Sequence, residues 1–338
     1  LTKSYIDPQA IADDLIRHLD EWYSLPEVWD NELDRQIHEW YADPPQVWPK
    51  RPYFSPSSAD ADPRELYYKQ LRSQKDVERK QPHQGRWTHL GTLVGDMIQR
   101  TVLAMERNMK KKAAFPSRFR FLRTKDGRPM FEDFAKKNVR VTHGGRTFYL
   151  YGTCDGIMEY AHPETGEILR VGLEVKSKQT TSAKTSLYSM REPEEKHKKQ
   201  CFVYGEMYEV DYYIILYVNT AKKSWEVDEE DYQKSPDIRA FGFEITQEDK
   251  DEVFDYFVSV LDAVNDMSPP PLKPDKWTFN NFKSIIALEM TEDEIDEVRR
   301  LKNRAIRSRL PDYKKRSYAD CLHDILAIRD ERKRRANG

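Results

Sequence analysis

The chain has 338 residues, with 56 Lys and Arg against 58 Asp and Glu, a net charge of −2, and 38% hydrophobic residues. That composition supports a real core spread over about two domains, and it excludes a nucleic-acid binder that works by overall charge, so any such role needs local clusters. No stretch approaches the roughly 18 apolar residues of a membrane-spanning helix and no signal peptide opens the chain, so a soluble, intracellular protein with no membrane partner is expected.

Residues 1–52 carry Trp22, Trp29, Trp40, Trp48 and Pro44-Pro45, which predicts an irregular helical lead-in whose aromatics anchor packing or stack on an unpaired nucleic-acid end. Phe54-Ser-Pro-Ser-Ser58 and Arg64-Glu-Leu-Tyr-Tyr68 follow. The clearest helix is predicted over 90–105, with Leu90, Val94, Met97, Ile98, Thr101 and Met105 on one core-facing stripe. Gly91 and Gly95 fall on a neighbouring line, where a second backbone can approach closely. Beyond it, Arg107, Lys110, Lys111, Lys112, Arg118, Arg120, Arg123 and Lys125 alternate with Phe115, Phe119 and Phe121. The mixture suits phosphate contacts beside base stacking, a solvated loop being the plain alternative.

Three antiparallel strands are predicted at 138–143, 146–160 and 168–177, with turns at Gly144-Gly145 and at residues 162–166. They contain the most informative residues of the chain. Gly152-Thr-Cys-Asp155 is followed nineteen residues later by Leu173-Glu174-Val175-Lys176. Alternation sends Leu173 and Val175 to one face of the strand and Glu174 and Lys176 to the other. An E-x-K pair is ordinarily a surface ion pair. Here an Asp lies close by in sequence, and two carboxylates held together repel by roughly 1 to 4 kcal/mol, so a bound divalent cation is the natural explanation. Hard oxygen ligands point to Mg²⁺ or Mn²⁺, and a neighbouring ammonium suits phosphodiester cleavage.

A helix follows over 194–208, with Lys196, Gln200, Tyr204 and Tyr208 on one polar face, and then a buried strand over 211–219. Residues 241–245 are expected to add an edge strand and 247–264 a helix, before the proline-rich break at 268–274. In the C-terminal part, Thr291-Glu-Asp-Glu294 forms a capping box, and the later Arg299, Arg300, Lys302, Arg304 and Arg307 partly complement the helix dipole. The closing Arg332-Lys-Arg-Arg335 run reads as a frayed end, contact with DNA being the alternative. No repeat and no phosphate-binding glycine loop is present, so no ATP motor is expected.

Gly152 to Asp155, Glu174 to Lys176 and Gln200 to Tyr204 resemble the G-x-x-D, (D/E)-x-K and Q-x-x-x-Y elements of the RecB-type PD-(D/E)XK nucleases, and the Ser55-Pro-Ser57 segment is similar to that family's N-terminal S-P-S. The likeness runs from about Ser55 to Asn219. It implies an α/β fold with a restriction-endonuclease-like core, a mixed sheet flanked by helices with helical additions at both ends. The implied organisation is a lead-in over 1–52, a nuclease core over 53–267 and a helical module over 268–338. It further implies that Asp155, Glu174 and the Val175 backbone carbonyl hold Mg²⁺ or Mn²⁺, that Lys176 handles the attacking water, and that Gln200 and Tyr204 position the scissile strand. Lys111, Arg118, Arg120, Lys196 and Ser57 are the expected DNA contacts.

Two departures qualify the likeness. The family's metal-binding His four residues after a helix-starting Gly is replaced by Gly95, leaving Asp96 or Glu132 as candidates for a further oxygen ligand. Only Cys154, Cys201 and Cys321 are present, which excludes a four-Cys iron–sulfur cluster within the chain and implies no disulfide framework. The function implied is a metal-dependent DNA exonuclease of recombination, repair or phage replication, in the cytoplasm of a bacterium or an infected host. A recombinase, a helicase or a single-strand-binding protein are the partners such a role implies, and a homo-oligomer is left open. The alternative is a catalytically silent module that keeps the fold and only docks DNA or a helicase.

Overall fold

The computed structural model describes residues 6–77 and 80–337. The chain divides into two compact units, one of residues 1–56, 81–141 and 148–253 and a second of 57–80, 142–147 and 254–338. The fold is mixed α/β, as expected, with helical additions.

In the first unit, five strands form a sheet in the order β2 (Phe119–Phe121), β5 (Gly156–Ala161), β6 (Ile168–Lys178), β7 (Tyr212–Asn219), β8 (Ile238–Glu244). β6 is antiparallel to β5 and parallel to β7, with Glu174 opposite Ile215 and Lys176 opposite Tyr217. The parallel step requires a crossover, which α6 (Glu195–Tyr208) supplies. On one face of the sheet, Leu173, Val171, Ile214 and Leu216 join a core with Val94, Ile98 and Val102 of α4 (Pro82–Lys112) and Ile11, Leu15 and Leu19 of α1 (Pro8–Ser24). The lead-in is therefore part of this core: Gly242 of β8 lies so close to Pro8 that a Cβ there would come within 1.9 Å of its carbonyl oxygen. Trp22 and Trp40 pack against the core, whereas Trp29 and Trp48 are exposed.

α6 covers the other face, and one glycine sets its approach. A Cβ on Gly172 would fall 2.0 Å from the ring of Tyr213, its register partner on β7. Without that Cβ the Tyr213 ring lies across β6 and stacks on Tyr204 of α6, with planes 14° apart and centroids at 6.2 Å.

Two expectations are corrected. The strand anticipated over 146–160 is two strands, β4 (Arg146–Gly152) and β5, in different sheets: β4 belongs to a three-stranded sheet of order β1 (Tyr53–Phe54), β4, β3 (Lys137–His143). The chain breaks at Thr153-Cys154-Asp155, whose three carbonyls are taken by three different elements, as described below. The 90–105 helix begins earlier, at Pro82, and its buried residues start at Val94. Val94, Ile98, Thr101 and Met105 are buried, but Leu90 and Met97 are 38% and 41% exposed among the described residues.

The second unit closes around Trp277, fully buried with its indole N–H donating to Asp324 at 2.9 Å, together with Tyr67, Tyr68, Ile286, Ile295, Val298 and Ile325. The predicted capping box starts α10 (Glu292–Arg307): Thr291 N–H donates to the Glu294 carboxylate at 2.8 Å, and Glu294 N–H donates to the Thr291 hydroxyl at 3.3 Å. Among the described residues no helix is long and apolar enough to cross a membrane.

Candidate active site

β5 begins at Gly156 opposite Leu173, so β6 runs on past it with an unpaired edge from Glu174 onward. The side chain of Asp155 takes over there. Its carboxylate accepts the Val175 N–H at 2.6 Å, a contact a backbone carbonyl would otherwise make. The N–H and C=O of one strand residue point to the same side, so the Val175 carbonyl faces the same opening. Alternation puts Glu174 and Lys176 on the α6 side, where Glu174 is 1% exposed and Lys176 half-buried.

From Lys176 a continuous relay runs into α6. Its ammonium pairs with Glu174 Oε1 and donates to Gln200 Oε1 at 3.2 Å; Gln200 Nε2 donates to the Tyr204 hydroxyl at 3.3 Å; and Tyr204 donates to the Thr153 carbonyl. The i, i+4 spacing of Gln200 and Tyr204 on α6 is what lets one helix face close the loop back to the strand break. Glu132 N–H donates to the Cys154 carbonyl at 2.9 Å, and Gln99 Nε2 donates to the Asp155 carbonyl at 2.9 Å. Thr153, Cys154 and Asp155 are thus fastened by α6, α5 (Glu132–Ala135) and α4 respectively.

Glu132 sits at the edge of this group. Its φ of 44° is left-handed, a conformation costing of order 1 kcal/mol for such a residue, and the Thr153 hydroxyl on its carbonyl helps hold it. Gln99 reaches its carboxylate at 3.3 Å. Asp96 instead takes the Arg100 guanidinium at 2.8 Å on the same helix. Gly95 faces open space, with nothing within 4 Å of where a Cβ would stand.

The electrostatics are unusual for a resting protein. Burial, and then the charge of Glu174, push the Asp155 carboxyl well above the ordinary range, against the Val175 N–H and Lys176. Glu174 is also pushed up, by burial first; Lys176 opposes this and Glu132 adds to it. Burial and the Asp155 charge push Glu132 up to about 6. Burial alone would pull Lys176 down, but Glu174 and Asp155 outweigh it and its ammonium is held above its usual value. Glu174 Oε2 is buried with no hydrogen-bond partner. An orphaned carboxylate oxygen beside a second carboxylate, with hard oxygen donors only, fits a divalent cation of the Mg²⁺ or Mn²⁺ class. Among the described residues no three His, Cys, Asp or Glu side chains already form such a cluster, so the fit rests on Asp155 and Glu174 with the Val175 carbonyl.

Along β6, Lys178 pairs with Glu194, which Lys196 also reaches at 3.0 Å. Glu194 N–H donates to the Tyr217 hydroxyl at 2.9 Å, and His197 Nδ1 lies 2.9 Å from the same oxygen.

The expected DNA contacts fare differently. Arg118 is held by Asp14 at 3.0 Å and Arg120 by Glu159 at 2.5 Å, while Phe119 and Phe121 are 1% exposed and belong to the core rather than to a stacking surface. Lys111 is exposed in the last turn of α4, and Ser57 is exposed in a short turn of the second unit. Gln99 is the residue that sequence reading missed. Its signal is a glutamine on a core-facing helix line, four residues after Gly95, 1% exposed and with its own Oε1 unpartnered.

No family model matches the chain, and no curated protein matches it in sequence. Solved structures similar to it include that of SSO0001, at 13% identity over 77% of this chain and 95% of the other, with a TM-score of 0.38. They also include an alkaline exonuclease from Laribacter hongkongensis, at 10% identity over 64% of this chain and 91% of that one, TM-score 0.37, and the same enzyme in complex with dAMP, at 10% over 63% and 90%, TM-score 0.35. Likeness at these scores carries no argument about activity or substrate.

Proposed function

We propose that the chain is a divalent-metal-dependent deoxyribonuclease whose centre is Asp155, Glu174 and Lys176. The observation that supports it most is the buried, partnerless Glu174 oxygen beside Asp155, two residues along the strand from an ammonium held in a four-member hydrogen-bonded relay. Asp155, Glu174 and the Val175 carbonyl would hold Mg²⁺ or Mn²⁺, with Glu132 at hand as a further oxygen. Bound there, such an ion polarises a phosphate oxygen and acidifies water.

The protein's own residues supply the rest. Lys176 stays protonated because two carboxylates face it, so it acts as a charge donor to a pentavalent phosphate oxygen or orients water, rather than as a base. Gln200, by accepting from Lys176, fixes the direction in which the remaining ammonium protons point. Tyr204 and Gln99 fasten the Thr153–Asp155 loop, so that the Asp155 carboxylate keeps its place at the β6 edge. By resemblance we favour exonuclease action.

The test is incubation of the purified protein with end-labelled linear DNA and closed circular DNA, with Mg²⁺ or with chelator. Shortening of linear DNA only with metal is expected. Cutting of the circle would replace exonuclease by endonuclease. A second reading, a silent DNA-docking module, is favoured by the open position at Gly95 and by the lack of a preformed three-residue cluster among the described residues. Binding without cleavage under every metal condition would establish it.

A further inference from the structure

α10 ends at Arg307 and α11 (Asp312–Asn337) begins five residues later, and the junction is strongly basic. From residue 302 to residue 316 there are seven cations and a single acid, Asp312. Arg304, Arg307, Arg309, Lys314 and Arg316 are exposed; Lys302 and Lys315 are half-buried. Earlier in α10 the pattern is different, since Arg299 is paired with Asp296 and Arg300 with Glu297. From Lys302 onward the pairing stops: among the described residues no side chain of these seven has an ion-pair partner.

Helix stability explains only part of this. Arg304 and Arg307 lie in the last turn of α10, where positive charge complements the dipole. Lys314 and Lys315 lie in the first turn of α11, where the same dipole disfavours cations, and Arg316 lies just beyond it. Residues kept there against local stability call for a reason outside the fold.

We propose that the α10–α11 junction is a binding surface for a DNA phosphate backbone. The single exposed aromatic within it, Tyr313 at 70%, among so many cations points to contacts with phosphates rather than to reading of bases. A lipid surface fits less well, because α10 buries its apolar face through Ile295, Val298 and Ala305 and leaves only Ile306 and Tyr313 of this stretch exposed. The surface rests on the charge distribution of the second unit and the choice of DNA on the function proposed above, while binding there does not require cleavage at Asp155 and Glu174.

The experiment uses the full chain in chelator, so that binding is read without cleavage. Affinity for a labelled DNA oligonucleotide is followed by anisotropy as salt is raised. The wild type is compared with the triple variants Arg304→Ala/Arg307→Ala/Arg309→Ala and Lys314→Ala/Lys315→Ala/Arg316→Ala. Each triple is expected to weaken binding at least ~10-fold at low salt and to lower the slope of log affinity against log salt by about 2 to 3, the loss of roughly three phosphate contacts. The second triple should also melt at or above the wild-type temperature, which separates lost contacts from lost folding. An unchanged slope in both triples would overturn the proposal. So would wild-type binding to phosphatidylserine vesicles or to polyglutamate with none to DNA.

Discussion

Two positions on the same strand, Glu174 and Lys178 of β6, carry opposite electrostatic designs. At the Asp155–Glu174 end, carboxylates outnumber their partners: Glu174 Oε2 has none, and Asp155, Glu174 and Glu132 are all held above the ordinary carboxylate range by burial and by one another. Four residues beyond Glu174 along β6, at Lys178, the balance reverses. Glu194 is shared by Lys178 and Lys196 and is held below its usual range; burial opposes this, but Lys178 first and then Lys196 outweigh it. His197, pulled down by burial and then by Lys176, has Tyr217 as partner. The half-exposed Glu194 carboxylate is thus fully paired, whereas the buried Glu174 carboxylate on the same sheet keeps one oxygen without a partner. On the function proposed above, the acid end would receive a positive charge and the Lys178 end would serve as structural support.

The largest effect that tests this contrast is on turnover. Replacing Lys176 by Ala should lower metal-dependent cleavage on the order of 10² or more, as for loss of a transition-state charge donor. Lys178→Ala, at the supported end, should lower it far less; equal losses in end-labelled digestion assays would erase the distinction. Next in size is Tyr204→Phe, which leaves the Thr153 carbonyl and Gln200 Nε2 without a partner and should cost about 1 to 2 kcal/mol of unfolding free energy in urea. Retained stability would mean that the relay does not hold the loop.

Asp155→Asn should act in the opposite direction. It removes one of two repelling charges while keeping an acceptor for the Val175 N–H, so in chelator the variant should be more stable than wild type by about 1 kcal/mol. A loss of stability would show that the acid pair is already compensated.

The pH dependence separates the ends most finely. A carboxyl raised in the folded state binds its proton more tightly there, so it favours the fold at low pH, and that stability is lost as pH rises from the unfolded value to the folded one. For Glu132 the window runs from 4.5 to about 6, and for Asp155 it starts at 3.8 and extends higher. Glu194, lowered on folding, contributes stability above its unfolded value of 4.5 and loses it as pH falls below. In chelator, the difference between wild type and Asp155→Asn should therefore widen as pH rises above about 4. The difference from Glu194→Gln should shrink below about pH 4 and stay small throughout, since Glu194 is partly exposed and solvent-screened. Thermal melts across pH check both signs.

Much of this was legible in the sequence and some was not, for identifiable reasons. The Leu173-to-Lys176 alternation, the Gln200/Tyr204 helix face and the Thr291–Glu294 box are local patterns of period two, four and three, and the structure has each in the expected element. The break at residues 153–155 was hidden because Gly152-Thr-Cys-Asp reads as continuous strand; what breaks it is Tyr204, Glu132 and Gln99 arriving from elsewhere in the chain. The partners of the basic run from Arg107 onward were hidden for a similar reason. Its arginines meet acids distant in sequence, Arg107 with Asp30, Arg118 with Asp14, Arg120 with Glu159, while the less conspicuous cations of the α10–α11 junction meet none among the described residues. Charge composition is local, but neutralisation is tertiary.

The most direct measurement of the central claim is calorimetric titration of Mn²⁺ into the wild type and into Asp155→Asn, each in two buffers of different ionisation enthalpy near pH 6. If the acid pair receives a cation, the wild type binds and releases protons, because carboxyls raised by burial and mutual repulsion must give up protons to ligate, and the variant binds far more weakly. Equal affinity in the two proteins, or binding with no proton release, would contradict it.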